Sequence, residues 1–387
     1  MQYRDSIFVS LLKPIDRRHF RRLVDRHDGN AYDKSFKSWD HLVTLIYAQF
    51  SRAASLRGLV AGFNANTHHH YHLGVAALSR STLSDANARR PVGVFAALFD
   101  TLSQAVDRQV RQEGGEMLRL IDASPIPLGK VCGWADWNGR IRGLKMHVVY
   151  DPKNDRPCSL EVTPATINDI EVGRRVTLEA GATYIFDKGY CHYGWWTRID
   201  NADAIFVTRA KSNMRLRATQ RRKPRKIIGD GFRIVDEAEV RLVSKGDSKL
   251  AIALRRIRVR RATGGLITLI TNDMARSAVE IATLYKIRWQ IELLFRWVKQ
   301  HLLIRKFLGN NENAIQLQIL AAMIAYLLLR IAARLHTVKI PLLRLAELVG
   351  QSLFTRKTFH RIDRSPPVNP SKPISKVPAN QLAFCYV

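Results

Sequence analysis

Four cysteines in 387 residues, at Cys132, Cys158, Cys191 and Cys385, are too few and too scattered for a disulfide framework or a C-x-x-C clamp. Reduced thiols in a cytosol are the expectation. Long apolar runs are also missing. The longest, Ile319 to Leu329, has eleven residues, against the roughly 20 that a bilayer crossing needs. A buried helix is expected there, and no membrane partner. The first residues lack a basic stretch leading into an apolar one, so no secretory leader is expected. Acid is scarce: 33 Asp+Glu face 62 Lys+Arg, for a net charge of +29. That imbalance costs a compact fold self-repulsion and is usually offset by a polyanion, with nucleic acid the leading class. An acidic membrane surface comes second, but no basic amphipathic helix or lipidation motif supports it. What is present in quantity is hydrophobic residue, 46% of the chain, enough for a buried core and against wholesale disorder.

Residues 1–112 read as a helical N-terminal region. Apolar spacing predicts one amphipathic helix from Trp39 to Phe63 and another after Pro91. Between them, Ser79–Arg90 is short, polar and basic. It is either a phosphate-docking helix start or an ordinary helix-turn-helix connection. His68, His69, His70 and His72 suggest a polar loop, because consecutive histidines point in different directions and rarely share a zinc ion.

From residue 113 to 210 the pattern becomes α/β. Met117–Asp122 and Thr183–Asp187 read as strands that each end in an acid, with Leu144–Tyr150, Ser159–Thr163 and Ala204–Thr208 as further strands. Asp169–Ala180 reads as a helix. Residues 211–272 form a basic, β-rich stretch: over 205–265 there are 18 Lys+Arg and 5 Asp+Glu. Within it Arg256, Arg258 and Arg260 share one strand face, which favours contact with phosphates over a merely exposed face. Residues 273–337 hold two helices, one from about Ser277 to Ile304 and a nearly all-apolar one from Ala314 to Leu335. Residues 338–387 read as a C-terminal tail, proline-rich after 364.

The sharpest signal is on the helix from Ser277. At about 100° per residue, Tyr285, Arg288, Glu292 and Lys299 fall within one ~60° stripe. Leu284, Ile287, Ile291, Leu294 and Val298 fall on a separate packing face. By itself the stripe could be a helix with an i,i+4 ion pair between Arg288 and Glu292, contributing only ~0.3–0.5 kcal/mol. Asp122 and Asp187 change that weighting. Two strand-end aspartates and a helical glutamate can hold two divalent ions about 4 Å apart, which is the apparatus of phosphodiester chemistry. Hard oxygen donors select Mg²⁺ or Mn²⁺ over zinc.

These residues resemble the DDE transposases of bacterial insertion sequences, of the IS-four family. The matching segments are Leu120-Ile-Asp122-Ala-Ser, Ile185-Phe-Asp187-Lys-Gly-Tyr190, and Tyr285-Lys-Ile-Arg288-Trp-Gln-Ile-Glu292 with Lys299 seven residues on. Leu144–Asp151 and Thr271-Asn272 also look family-like, and the resemblance covers roughly residues 15–335. It implies an RNase H-like core, a mixed sheet flanked by helices, interrupted by a mostly β insertion. The 104 residues between Asp187 and Glu292 leave room for that insertion. It further implies that Asp122, Asp187 and Glu292 bind the metals. Tyr285, Arg288 and Lys299 would hold phosphates of the transposon end, and Trp289 would distort its terminal base. The expected partners are double-stranded DNA, as inverted-repeat ends and target, and a second copy of the chain joining two ends. The setting would be the bacterial cytoplasm, at the nucleoid. Two rivals remain: a DNA-binding regulator with a dead core, and a tyrosine recombinase. Metal dependence separates them from DDE chemistry.

Overall fold

The computed structural model describes residues 5–31, 33–112, 116–222, 228–229, 231–243, 252–302, 304 and 306–363. The proline-rich stretch after 364, Cys385 and residues 223–227 of the basic run lie outside the described residues.

Seven helices open the chain: α1 (Ile7–Leu12), α2 (Arg17–Arg26), α3 (Ser38–Ser51), α4 (Leu56–Asn64), α5 (His70–Leu73), α6 (Arg80–Arg89) and α7 (Val92–Gln112). The single helix expected over Trp39–Phe63 is two. Arg52 adopts a left-handed φ of 51° and ends α3, and Ser55 starts α4 by accepting from the Gly58 N–H. Of the two readings of Ser79–Arg90, the segment is a helix start: α6 is capped by Ser79, which accepts from the Thr82 N–H. Its polar composition conceals it, because only Leu83, Ala86 and Asn87 are buried. The histidine cluster spans a 3₁₀ turn and α5, with His70 buried and its Nε2 against the Phe63 carbonyl at 3.0 Å.

The sheet then forms from β1 (Leu118–Pro127), β2 (Gly143–Asp151), β3 (Arg156–Pro164), β4 (Thr183–Phe186) and β5 (Ile205–Arg209). The short helix α8 (Asp169–Gly173) precedes β4 and α9 (Tyr193–Asn201) precedes β5. Only the first turn of the helix expected over 169–180 is made. The strand order is β3-β2-β1-β4-β5. β2 is antiparallel to both neighbours, while β1, β4 and β5 run parallel. This is the mixed, RNase H-like core that the sequence leads one to expect.

The basic region supplies β6 (Leu216–Arg222), β7 (Ile228–Gly229), β8 (Phe232–Leu242), β9 (Leu254–Arg261) and β10 (Leu266–Thr271). These strands do not stand apart. β10 pairs antiparallel with β5, and the order continues β5-β10-β9-β8-β6, so core and insertion form one ten-stranded sheet. Four helices follow: α10 (Ala278–Ile287), α11 (Trp289–His301), α12 (Glu312–Leu335) and α13 (Leu342–Ser352). The last occupies part of the region expected to be a tail, and its Leu345 and Val349 are fully buried.

One hydrophobic cluster joins the N-terminal helices, α12 and one face of the sheet; a second lies on the opposite face around Trp195, Trp196 and Phe186. Among the described residues α12 alone is long and apolar enough to cross a membrane, and 83% of its most apolar window is buried inside the fold.

Candidate active site

Strand register brings the first two carboxylates together. β1 and β4 pair in parallel from Leu118↔Thr183 to Ile121↔Phe186. The next residue on each strand is Asp122 and Asp187, so both acids occupy corresponding positions on strands about 4.8 Å apart. Asp187 follows Phe186, the last residue of β4, and caps a 3₁₀ turn, Lys188–Tyr190. Asp122 does not end its strand, contrary to expectation, because β1 continues to Pro127. Beyond Ile121, however, β4 has stopped and β1 pairs only with β2. The missing N–H groups of Pro125 and Pro127 are tolerated on such a one-sided stretch.

The third carboxylate arrives on a helix. The single helix expected from Ser277 to Ile304 is interrupted at Arg288. There the Arg288 and Ile291 N–H groups each reach a carbonyl three residues back, Tyr285 and Arg288, both at 3.2 Å. Ser277 and Glu280 form a capping box that starts α10. The interruption starts α11 at Trp289 and places Glu292 in its first turn, where the helix dipole favours an anion. Ile291, Leu294 and Val298 are buried, as the apolar stripe predicts.

Across this junction the polar stripe meets the strand acids. The Tyr285 hydroxyl donates to Asp187 Oδ1 at 3.3 Å. Arg288 donates from Nη1 to Asp122 Oδ2 at 3.1 Å and from Nη2 to Glu292 Oε1, bridging strand and helix. Arg288 is therefore not the exposed i,i+4 partner that the sequence allows: its side chain is only 17% exposed. Lys299 lies two turns on, and its Nζ donates to the Pro125 carbonyl at 2.7 Å, tying α11 to the far part of β1. Trp289 is half exposed, with the Arg296 guanidinium 5.6 Å from its ring centroid.

The electrostatics follow from this crowding. Burial pushes the Asp122 carboxyl up to about 6; Arg288 and the Ala123 N–H pull it down, while Glu292 and Asp187 raise it further. Burial likewise lifts the Tyr285 phenol to about 12, with Asp187 adding to the rise and Arg288 opposing it. Burial works against the Arg288 cation, but its bond to Glu292 and the charge of Asp122 outweigh that and hold it above the usual arginine range.

Three coupled carboxylates are a suitable donor set for a hard divalent cation. Among the described residues no three His, Cys, Asp or Glu side chains are gathered closely enough to hold a metal ion, and Arg288 lies between Asp122 and Glu292. The donors fit a hard cation in kind, and the Arg288 fork occupies the space between Asp122 and Glu292.

The insertion arginines fare differently from one another. Arg258 and Arg260 are exposed on β9. Arg256 shares their face but is half-buried and donates to Asp236 Oδ2 of β8 at 2.7 Å, which commits it to a cross-strand pair. On the other face Arg255, 2% exposed, pairs with Glu237 at 2.8 Å. Neither pair is visible from sequence, because it depends on how β8 and β9 align.

Comparison with known proteins gives the family. Residues 113–328 match the family described as "Transposase DDE domain", and residues 3–76 match a "Domain of unknown function (DUF4372)". A putative transposase of Sinorhizobium fredii is 61% identical over 79% of this chain and 86% of its own length. A probable transposase for insertion sequence element IS5377 of Geobacillus stearothermophilus is 29% identical over 73% of this chain and 78% of its own. A putative transposase for element IS4SA of Synechocystis is 25% identical, over 65% and 71%.

Proposed function

The chain belongs to the Transposase DDE domain family of DNA-cleaving and strand-transferring enzymes, and on that footing we propose that it mobilises an insertion sequence through Asp122, Asp187 and Glu292. Enzymes of this family are generally dependent on divalent metal. Here the three carboxylates would hold two Mg²⁺ or Mn²⁺ ions. Bound there, the ions would supply Lewis-acid activation of the attacking hydroxyl and stabilisation of the leaving oxygen. In cleavage a water oxygen bonds to phosphorus, the P–O3′ bond breaks, and the freed strand leaves with a 3′-hydroxyl. In joining, that 3′-hydroxyl oxygen bonds to a target phosphorus, the target's own P–O3′ bond breaks, and the displaced target strand leaves with a 3′-hydroxyl.

The chain's own residues position these groups. Tyr285 orients Asp187 through its hydroxyl. Arg288 restrains Asp122 and Glu292 until DNA arrives, when its fork can turn to a phosphate oxygen, a bidentate match. Lys299 fixes α11 against β1 and contributes charge at the transposon end. Trp289, half exposed beside Arg288, faces the terminal base pair. Arg258 and Arg260 extend the phosphate-contacting surface along β9. The substrate is double-stranded DNA, first the inverted-repeat ends and then the target, and two copies of the chain bring two ends together in the bacterial cytoplasm.

The parallel register that places Asp122 beside Asp187 is the observation that carries this reading. Asp122→Asn, Asp187→Asn and Glu292→Gln each remove a ligand charge with little change of shape. Each should abolish cleavage of a labelled inverted-repeat duplex in Mg²⁺ while binding of that duplex stays within a few-fold. A variant that cleaves at near-normal rate has lost no metal ligand, and its residue leaves the triad.

A further inference from the structure

The loop joining β1 to β2, residues 128–142, begins at the far end of the strand that carries Asp122 and has no role in the account above. Its Trp137 is 59% exposed, Val131 74% and Trp134 37%. The loop is built rather than slack. Trp137 and Arg142 form a β-bridge around a turn in which Asn138 Oδ1 accepts the Arg140 and Ile141 N–H groups at 3.1 and 2.9 Å. Gly139 takes a left-handed φ of 88° at the tip. Trp134 is pinned by its indole N–H to the Asn310 carbonyl at 2.6 Å. The exposure of Trp137 is therefore held in place by its surroundings.

We propose that this loop is a second DNA contact, which takes unpaired bases several nucleotides away from the catalytic carboxylates: Trp137 stacks on a base, and Lys130 and Arg140 seat neighbouring phosphates. The proposal rests on the transposase reading of the site.

Three observations carry it. The first is charge. Lys130 and Arg140 are exposed, and among the described residues neither side chain has a hydrogen bond or ion pair. The single acid of the loop, Asp136, is directed to Thr166. The second is place. Pro127, where β1 ends, is five residues beyond Asp122, about 17 Å along a strand, or the length of about five stacked nucleotides. Between the two lies Pro125, whose carbonyl holds Lys299. The third is continuity. Trp134 joins the loop to Asn310, and Asn313, three residues on in the chain, donates to the Asn87 and Arg90 carbonyls, both at 2.9 Å. A strand leaving the carboxylates past Lys299 would reach the loop and then the end of α6. Stacking on an indole needs an open base face, which a base inside a duplex does not offer; this favours unpaired DNA over duplex.

The test uses the full chain in EDTA, so that binding is read without strand chemistry. Fluorescence anisotropy compares a blunt duplex with the same duplex carrying an unpaired oligothymidine extension. Trp137→Ala should weaken the extended probe about tenfold, the effect of one lost stacked base, and leave the blunt duplex within about twofold. Trp137→Phe should retain most of the affinity. Arg140→Gln, at the exposed turn, should lower the salt slope for the extension by about 0.7. Unchanged binding of the extended probe by Trp137→Ala would overturn the proposal, as would equal loss on both probes. Conversion of a DNA-free dimer to monomer by Trp137→Ala, with DNA affinity unchanged, would instead make the loop a contact between copies and likewise overturn it. Because no cleavage is measured, this outcome is independent of whether the triad variants lose activity.

Discussion

Replacing Arg288 with Gln should destabilise the metal-free protein in a way that grows with pH. The side chain is 17% exposed and makes two charge-assisted bonds, to Asp122 and Glu292, which are 19% and 32% exposed. Bonds to charged groups each contribute about 1.5–3 kcal/mol. Water partly replaces them at these exposures, so about 2–4 kcal/mol is expected at pH 8. The pH dependence comes from Asp122. Its folded carboxyl titrates at about 6, against 3.8 for the ordinary group, because burial outweighs the pull of Arg288. A carboxyl raised on folding favours the fold while protonated and opposes it as pH climbs through the folded value, here by about 3 kcal/mol above pH 6. Without Arg288 the folded value rises further, so ionisation costs more. The two proteins should therefore differ less at pH 5, where Asp122 is protonated in both and only the Arg288–Glu292 bond separates them, and diverge from pH 6 upward. With roughly 2 cal/mol/K of unfolding entropy per residue, the gap is about 3–5 °C at pH 8 and about half that at pH 5. Thermal melting in EDTA from pH 5 to 8 measures it. A gap of equal size at both ends would mean that Arg288 does not act through these carboxylates.

The same raised carboxyl predicts that the cleavage rate of the intact enzyme falls as pH drops through about 6, and that more Mg²⁺ moves this acid limb downward, since metal and proton compete for Asp122. An acid limb indifferent to Mg²⁺ would assign it to another group. On β9, Arg258→Gln with Arg260→Gln should flatten the salt dependence of duplex binding by up to about 1.8. Arg256→Gln should leave that slope alone and lower the melting temperature instead, because Arg256 is paired with Asp236. A slope altered by Arg256→Gln alone would reverse that assignment.

The core strands were legible because each is a short apolar run bounded by polar residues, and the Tyr285–Lys299 stripe because helical periodicity survives one irregular residue. The extent of β1 was not, since Pro125 and Pro127 argue against a strand unless one knows that β4 stops at Phe186. Whether Ser79–Arg90 starts a helix was left open because the burial of α6 is confined to a few small or polar positions, among them Ala86 and Asn87. The break after α3 rests on one left-handed residue, Arg52, whose identity carries no such signal. Arg288 could be placed on the right face of its helix, but its reach to Asp122, 166 positions away in the chain, is a tertiary fact. The Arg256–Asp236 pair depends in the same way on the β8–β9 register, which side-chain alternation alone cannot set.

The most direct test of the central claim is to change the ligand chemistry of the triad while watching metal choice. Asp187→Cys substitutes a soft sulfur for a hard oxygen beside Asp122. Cleavage of the inverted-repeat end should be lost in Mg²⁺ and partly restored in Mn²⁺, which accepts sulfur more readily. Undiminished cleavage by Asp187→Cys in Mg²⁺ would contradict the assignment of Asp187 as a metal ligand, and with it the two-ion site.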